Sequence, residues 1–337
     1  MEGFWTRMAL RAWTVLILLL ITVITFVLSR VVPANPVVMA AGLGATTEQV
    51  AEVRRVMGLD EPLPVQYERY MQGLARLDFG TSIRTQRSVG QDLRVFLPAT
   101  FELMLISFAL YVLIAIPLGV MAAMRPGGLT DALIRTGSML TSAVPVFWLA
   151  MILQVVFFAR FGWLPSGGRL DVRASPPPLV TGFFTIDSLL AADSDQFLAV
   201  LKHLILPVTA IVLSLLAVGV RLTRATMLQE LQQAYARTAR SKGLKQSTIL
   251  FRHVLKNALN PVISMLGIQL GYLLAWIILV ETIFQWPGIG LYAYESFQGL
   301  DYSPIMALTL VFSCFFVVVN LITDLTYPVL DPRIKLR

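Results

Sequence analysis

Six apolar stretches, each about as long as a bilayer is thick, dominate this sequence of 337 residues. A helix needs about 20 largely apolar residues to cross the hydrocarbon core. The composition agrees, because 56% of the residues are hydrophobic and only 14% are charged, unlike a soluble domain. We therefore predict an all-α membrane protein with six transmembrane helices, at about 12–28, 100–124, 140–161, 204–220, 261–284 and 305–325.

The first stretch has a second interpretation. Arg7 and Arg11 precede it and a V-P-A sequence follows it, which is also the pattern of a cleaved signal peptide. The even number of stretches and the charge pattern of the later loops favour a helix that is retained.

The loop between the fourth and fifth stretches, residues 221–256, carries eight lysines and arginines against the single acid Glu230. Lys and Arg are enriched in loops that stay in the cytoplasm. This basic loop is therefore predicted to lie in the cytoplasm. With six spans, both termini are then predicted to be cytoplasmic as well. Loops 162–202 and 285–304 contain more acids than bases and are predicted to face outward. The sequence pI of about 9.7 then reflects topology, not nucleic-acid binding.

The first outward loop, residues 29–98, is long enough to have structure of its own. Thr46 or Thr47 can cap a helix that runs to Met57 and stops at Gly58, and a second amphipathic helix is expected over about 64–77. We predict a small helical extracytoplasmic domain over 29–98. The remaining divisions are a cytoplasmic segment with the first helix at 1–28, a core of five transmembrane helices at 99–330, and a cytoplasmic tail at 331–337.

Residues that could perform chemistry are scarce. The sequence has no glycine-rich phosphate-binding motif of the form G-x-x-x-x-G-K-[ST]. The two histidines, His203 and His253, are predicted on opposite sides of the membrane, without partners at metal-ligand spacing. We therefore expect no catalytic residue, no metal and no bound cofactor in this chain, so that any ATP and Mg²⁺ would be held by partner subunits.

The basic loop itself has an ordered pattern. Residues 225–243 are predicted to form one helix that continues the fourth span, and a sharp turn is expected at Gly243. Ser247 is predicted to cap a second helix, and Pro261 to open the fifth span. The apolar face of the first helix comprises Met227, Leu228, Leu231 and Tyr235, and small residues gather at Ala236, Ala239, Ser241 and Gly243. Two interpretations are open: a solvated basic loop beside anionic lipid headgroups, or a protrusion that docks into a partner.

Several segments resemble bacterial ABC importer permeases of the dipeptide, oligopeptide and nickel group, and the dipeptide permeases in particular. The resemblance extends over nearly the whole chain, although Tyr235 and Ala236 stand where the family pattern begins with Glu-Ala-Ala. The segments are 235–243 (YARTARSKG), 252–261 (RHVLKNALNP), 58–67 (GLDEPLPVQY), 78–82 (DFGTS), 181–187 (TGFFTID), 281–290 (ETIFQWPGIG) and 331–333 (DPR).

The resemblance implies a permease subunit of the cell inner membrane that imports short peptides by alternating access. It implies a second, homologous permease, two ATP-binding subunits and an extracytoplasmic solute-binding protein as partners. Glutathione and nickel complexes stay open as substrates, and a secondary transporter without an ATPase is the less favoured class. Within the coupling loop at 221–260, the expected coupling residues are Ala236, Ala239, Arg240, Gly243 and Leu244.

Glu281 and Trp286, at the outer end of the fifth span, are expected at an outer gate or on the substrate path. Charged groups near membrane spans are costly and usually functional. The competing interpretation is that Glu281 is a water-exposed glutamate at the membrane interface.

Overall fold

The computed structural model describes the backbone of residues 2–31, 37, 41–42, 44–56 and 58–330, and the side chains of 16–30, 37, 41–42, 44–56 and 58–323. Over these residues the fold is entirely helical, with twelve helices and no strand. The helices are α1 Glu2–Val31, α2 Thr47–Val56, α3 Leu63–Ala75, α4 Val89–Met124, α5 Leu129–Ala143, α6 Val146–Arg160, α7 Phe184–Leu190, α8 Ser194–Leu231, α9 Ala234–Ser241, α10 Gln246–Phe284, α11 Ile289–Gln298 and α12 Tyr302–Leu330.

Four helices contain apolar segments long enough to cross a membrane: α4, α8, α10 and the 302–323 part of α12. Helices α5 and α6 together form a fifth candidate span. The described side chains of α1 contribute a shorter apolar segment, Leu16–Arg30. The prediction of a membrane protein with several apolar helices is therefore confirmed, whereas the total of six and the sides of the termini stay predictions. The predicted tail at 331–337 lies outside the described residues.

The third predicted span is not one continuous helix. Helices α5 and α6 meet at an angle of 97°, so the prediction of an unbroken helix over 140–161 was wrong. Val144 has an extended backbone, with φ −91° and ψ 127°, as expected for a residue that precedes proline. Pro145 lacks the N–H that a continuing helix needs, and the last part of α6, Gln154–Arg160, is π-helical.

Two compact units divide the chain. The first comprises the described residues of 2–100 together with 287–317, and its apolar cluster joins the start of α4 to α11 and α12 through Val89, Leu93, Tyr292 and Leu308. The second comprises 101–286 and, among the described residues, 318–330. The division into domains expected from the sequence stays a prediction.

Residues 29–98, which the sequence predicts to face outward, contain the two expected helices. Thr46 caps α2 reciprocally: its hydroxyl accepts from Gln49 N at 3.3 Å, and Gln49 Oε1 accepts from Thr46 N at 2.9 Å. Gly58, with φ +65°, follows the helix as predicted. Helix α3 packs on α1, where Tyr67 OH and Thr22 Oγ1 are 2.9 Å apart and the Phe26 and Tyr67 rings make an edge contact.

The 78–88 loop is fastened to α11 and the start of α12 by buried aspartates. Ser82 Oγ donates to Asp301 Oδ2 at 2.6 Å, and Tyr292 OH donates to Asp92 Oδ2 at 2.9 Å. Thr85 Oγ1 donates to the same Asp92 oxygen at 2.6 Å. These bonds give the DFGTS segment a structural role within the first unit.

Candidate functional site

The basic loop begins with a break between two helices. Helix α8 continues past its apolar run to Leu231, and Gln232 and Gln233 separate it from α9. The prediction of one helix over 225–243 was therefore wrong. Gln233 has an extended backbone with φ −66° and ψ 154°. The freed carbonyl of Gln232 accepts from the Arg237 guanidinium at 3.0 and 3.2 Å, which satisfies the broken end.

Helix α9 buries its alanine face in its own chain. Ala236 is fully buried and Ala239 is 8% exposed. Because an alanine side chain is a single methyl group, α9 can lie close to its neighbours. The cluster around them consists of Val120, Ala123, Met227, Ile249, Leu250, Val254 and Ala258. Ala236 and Ala239, two of the small residues predicted to permit docking, therefore pack against their own chain.

A tight left-handed turn ends α9. Gly243 has φ +73°, the conformation that glycine adopts most readily. Its N–H donates to Arg240 O at 2.9 Å, and Leu244 N donates to Ala239 O at 3.3 Å, the hydrogen-bond pair of a Schellman motif. The turn predicted at Gly243 is confirmed.

The other face of α9 and its turn is exposed and basic. We call it the basic patch, and it consists of Arg237, Arg240, Lys242, Gly243, Leu244 and Lys245. Among the described residues, no carboxylate lies within ion-pair distance of its four positive side chains. Leu244 adds an apolar contact point, with 42% of its surface exposed. The patch can therefore receive an acidic partner surface without first breaking ion pairs within this chain.

The second helix of the loop starts earlier than expected. Helix α10 begins at Gln246 after Lys245, so Ser247 is not its cap, and Pro261 lies inside the helix instead of opening it. Its initial segment contains a π-helical stretch, Ile249–Val254. Ile249, Leu250 and Val254 are buried beneath α9, and this tertiary packing accounts for a helix that extends beyond the apolar run.

At the opposite end of α10, Glu281 and Trp286 are both fully buried. The interpretation of Glu281 as a water-exposed interfacial glutamate was therefore wrong. Gln285 takes a left-handed conformation with φ 49°, and this bend lets Trp286 N donate back to Glu281 O at 2.9 Å. Glu281 and Trp286 are thus shielded from solvent, whereas Gln285 between them is exposed.

A buried ion pair fastens the 162–193 loop beside Trp286. The Arg169 guanidinium donates to Glu102 Oε2 at 2.5 Å and to Gly182 O at 2.8 Å. Thr185 donates to the other Glu102 oxygen through both its N and Oγ1, each at 2.7 Å. The guanidinium lies 3.5 Å from the Phe184 ring centroid and 5.8 Å from that of Trp286. We call Glu102, Arg169, Gly182 and Thr185 the loop clamp.

Neither charge of the clamp was identified from the sequence. Glu102 and Arg169 are 67 positions apart, and nothing local pairs them. The sequence could have indicated Glu102, because it is an acid at the edge of an apolar stretch, where charged residues usually have a function. Burial lowers the pKa of the Arg169 guanidinium, and the Glu102 charge opposes that shift.

Two further contacts reinforce this loop. Burial by itself would raise the pKa of the Asp187 carboxyl, but hydrogen bonds from the N and Oγ1 of Thr181 and from Gly182 N outweigh burial and lower it. Gly168 N donates to Phe284 O at 2.8 Å, and a side chain at Gly167 would overlap the Phe284 backbone. The loop is therefore bonded directly to the end of α10.

The described residues contain no group of three His, Cys, Asp or Glu side chains that could hold a metal ion. His203 lies 2.9 Å from Gly167 O through Nδ1, and its Nε2 is 3.6 Å from Asp171. Its role in this structure is to hold the loop.

Comparisons with known proteins match nearly the whole length of the chain. Residues 1–104 match the N-terminal family of binding-protein-dependent transport system membrane components. The chain is 41% identical over 98% of both lengths to the probable D,D-dipeptide transport system permease protein DdpB of Escherichia coli (strain K12). It is 38% identical to the dipeptide transport system permease protein DppB of Alkalihalophilus pseudofirmus, over 97% of this chain and 98% of that one.

A glutathione transport system permease protein, GsiC of Pectobacterium atrosepticum, is 33% identical over 94% of both lengths. Residues 115–336 match the binding-protein-dependent transport system inner membrane components. Since that match covers most of the chain, including α8, α9 and α10, the chain belongs to the family of inner membrane components of binding-protein-dependent transport systems.

Proposed function

We propose that this chain is the permease subunit of an ATP-driven importer of short peptides in the bacterial inner membrane. The observation that carries the proposal is the similarity to dipeptide permeases over 94% or more of the chain. A glutathione importer is the second candidate, supported by the 33% identity to a glutathione permease. Glutathione is itself a peptide, so the two candidates share their substrate chemistry.

The basic patch is proposed as the surface that contacts a partner ATPase. The buried alanines Ala236 and Ala239 hold α9 against its own chain, so that force applied to the patch is passed to α8 and α10. Arg240 supplies positive charge, Leu244 supplies apolar surface, and Gly243 supplies the turn between them. The small residues are thus assigned to transmission, and the exposed residues to docking.

The proposed assembly contains a second, homologous permease, two ATP-binding subunits that hold ATP and Mg²⁺, and an extracytoplasmic solute-binding protein. In this proposal the chain has six spans and cytoplasmic termini, so that the basic patch would lie on the ATPase side and the 29–98 loop on the outer side. Closure of the ATPases would move α9 of this chain and the corresponding helix of the second permease as rigid bodies. This movement would bias the equilibrium between inward-open and outward-open states.

Glu281 and Trp286 are proposed to belong to the outer gate. Both are completely buried and Trp286 lies beside the loop clamp, which supports a closed gate in this conformation. Substrate contact at these two residues would then require that the 162–193 loop moves away.

Substrate choice is tested by transport in proteoliposomes that contain the complete complex. We expect uptake of di- and tripeptides to depend on ATP and on the solute-binding protein. Competing arms contain glutathione and chelated nickel at the same concentration. Uptake that prefers the nickel complex would overturn the peptide assignment, and uptake without ATPase subunits would overturn the importer assignment.

The docking surface is tested with Arg237→Ala/Arg240→Ala. Both side chains are exposed, so the variant should fold; besides the partner contact it loses the Arg237 hydrogen bonds to Gln232 O, an exposed carbonyl that water can satisfy. We expect the ATPase subunits to copurify at least about tenfold less well, because two charge-assisted contacts are removed. The matched control is Arg76→Ala/Arg94→Ala, two exposed arginines of the first unit. Equal copurification of both double variants would exclude the basic patch as the docking surface.

A further inference from the structure

A cavity of about 230 Å³ lies between α5 and α8 within the second unit. Three arginines line it: Arg135 of α5, and Arg221 and Arg224 of α8. The rest of its wall is small or apolar, with Ser138, Met139, Ala217, Val220 and Ala225. The cavity is far larger than the roughly 10–15 Å³ that one water molecule requires.

The charges around this cavity do not balance. Arg224 is held by the buried Asp131 in a two-bond pair at 2.6 and 2.8 Å. Arg135 approaches the same carboxylate at 3.8 Å. Arg221 has no ion-pair partner among the described residues. Two of the three guanidinium groups thus share the one carboxylate and the third is unpaired among the described residues, which leaves an excess of two positive charges around the cavity.

The fixed geometry of Arg224 makes this more than a loose surface cluster. Because Asp131 is 2% exposed and accepts Gly127 N as well, Arg224 is locked in place at the cavity wall. Arginine presents planar pairs of N–H donors that match the oxygens of a phosphate group. Arg224 uses its Nε and Nη2 donors on Asp131, so the donors open to an oxyanion are those of Arg221 and Arg135, with the fixed charge of Arg224 beside them.

The position of the cavity indicates the source of the oxyanion. Arg221 directly follows the apolar run of α8, at the boundary between the membrane segment and the basic loop. On the other wall, Met139 and its neighbour Leu140 are more than half exposed, so apolar surface continues away from the arginines. A ligand that carries a phosphate and a long apolar tail matches both surfaces, and basic pockets between membrane helices bind such headgroups.

We propose that the cavity binds the phosphate of an anionic phospholipid, with Arg221 and Arg135 as its direct donors and Arg224 as a fixed wall. The acyl chains lie along Met139 and Leu140. The lipid belongs to the leaflet on the side of the basic loop. The proposal does not rest on peptide transport, since it concerns only groups of this chain outside the basic patch.

The test uses the purified full chain in non-ionic detergent, stripped of lipid and titrated while bound lipid is counted by native mass spectrometry. The probes are phosphatidylglycerol, phosphatidylcholine and millimolar inorganic phosphate. Arg221→Gln and Arg135→Gln remove donors at exposed positions, so folding should survive. Arg224→Gln is avoided because it would leave Asp131 buried without its partner. Arg125→Gln is the matched control, an exposed arginine outside the cavity lining.

We expect the wild-type chain to retain phosphatidylglycerol at least tenfold more tightly than phosphatidylcholine. Arg221→Gln should weaken phosphatidylglycerol binding about tenfold or more, whereas Arg125→Gln should change it less than twofold. Equal binding of the two lipids, or equal effects of the Arg221 and Arg125 substitutions, would overturn the proposal. Displacement of the lipid by inorganic phosphate would also overturn it, because a free anion would then be the ligand.

Discussion

Replacing Arg169 by methionine removes the positive half of the loop clamp and keeps most of the apolar volume of the side chain. In the wild-type chain Arg169 neutralises Glu102, which is completely buried, and also donates to Gly182 O. After the substitution, Thr185 still donates twice to Glu102, but the carboxylate keeps an uncompensated charge. The 162–193 loop is the element that can open to admit water to it.

The expected magnitude follows from that buried charge. Breaking a buried ion pair by removing one partner typically costs about 3–5 kcal/mol. If the cost is relieved by local opening, the loop amides exchange about two to four orders of magnitude faster. The double variant Glu102→Gln/Arg169→Met removes both charges and keeps an acceptor for Thr185. It should therefore recover more than half of the lost protection.

Hydrogen–deuterium exchange of the purified chain measures this directly, with Gly168 as the reporter amide because it donates to Phe284 O. Arg173→Met is the matched control, since Arg173 is an exposed arginine of the same loop. Exchange over 162–193 that rises less than threefold in Arg169→Met would refute the argument. So would a double variant that exchanges faster than the single one, because the cost would then not come from an unpaired charge.

Three further predictions concern packing, backbone and protonation. Ala236→Leu should destabilise the chain by about 1–3 kcal/mol through overpacking, seen as a lower melting temperature; an unchanged value would show that α9 is not seated as described. Gly243→Ala should weaken ATPase copurification more than Gly243→Asn, because asparagine tolerates the left-handed conformation better. Nothing lies within 4 Å of an added Cβ, so a steric clash does not contribute to the difference. If Gly243→Asn had the larger effect, a backbone cause would be excluded. For Asp187, the folded pKa lies below the unfolded value of about 3.9, so its stabilisation is present above that pH and is lost as the pH falls through the folded pKa. Wild-type loop protection should then fall more steeply on acidification than that of Asp187→Asn, and parallel pH profiles would contradict this.

The membrane helices and the turn at Gly243 were accessible from the sequence because both have local causes, namely long apolar runs and a glycine after a helix. The orientation of α9 was not, because Ala236 and Ala239 indicate that something approaches closely but not whether it is a partner or Ile249 and Leu250 of the same chain.

The loop clamp was equally out of reach, since Glu102 and Arg169 meet only through the tertiary fold. The boundary at Gln246 was missed for a related reason. The packing of Ile249 and Val254 extends the helix, and this tertiary gain overrides the local preference of Ser247 for a cap and the unfavourable position of Pro261.

Helix α8 connects the 162–193 loop to the cluster beneath α9 within the second unit. Near its start His203 contacts the loop backbone at Gly167, and near its end Met227 lies in the cluster beneath α9. At 1.5 Å per residue its 38 residues span about 57 Å. A helix hardly changes length, so a displacement of one end of α8 either tilts the whole helix or bends it. The bend is expected at Pro207, where the proline interrupts the hydrogen-bond ladder. About 30 Å separates Pro207 from Met227 along the axis of α8. A bend of about 10° at Pro207 therefore moves Met227, which packs beneath α9, by about 5 Å.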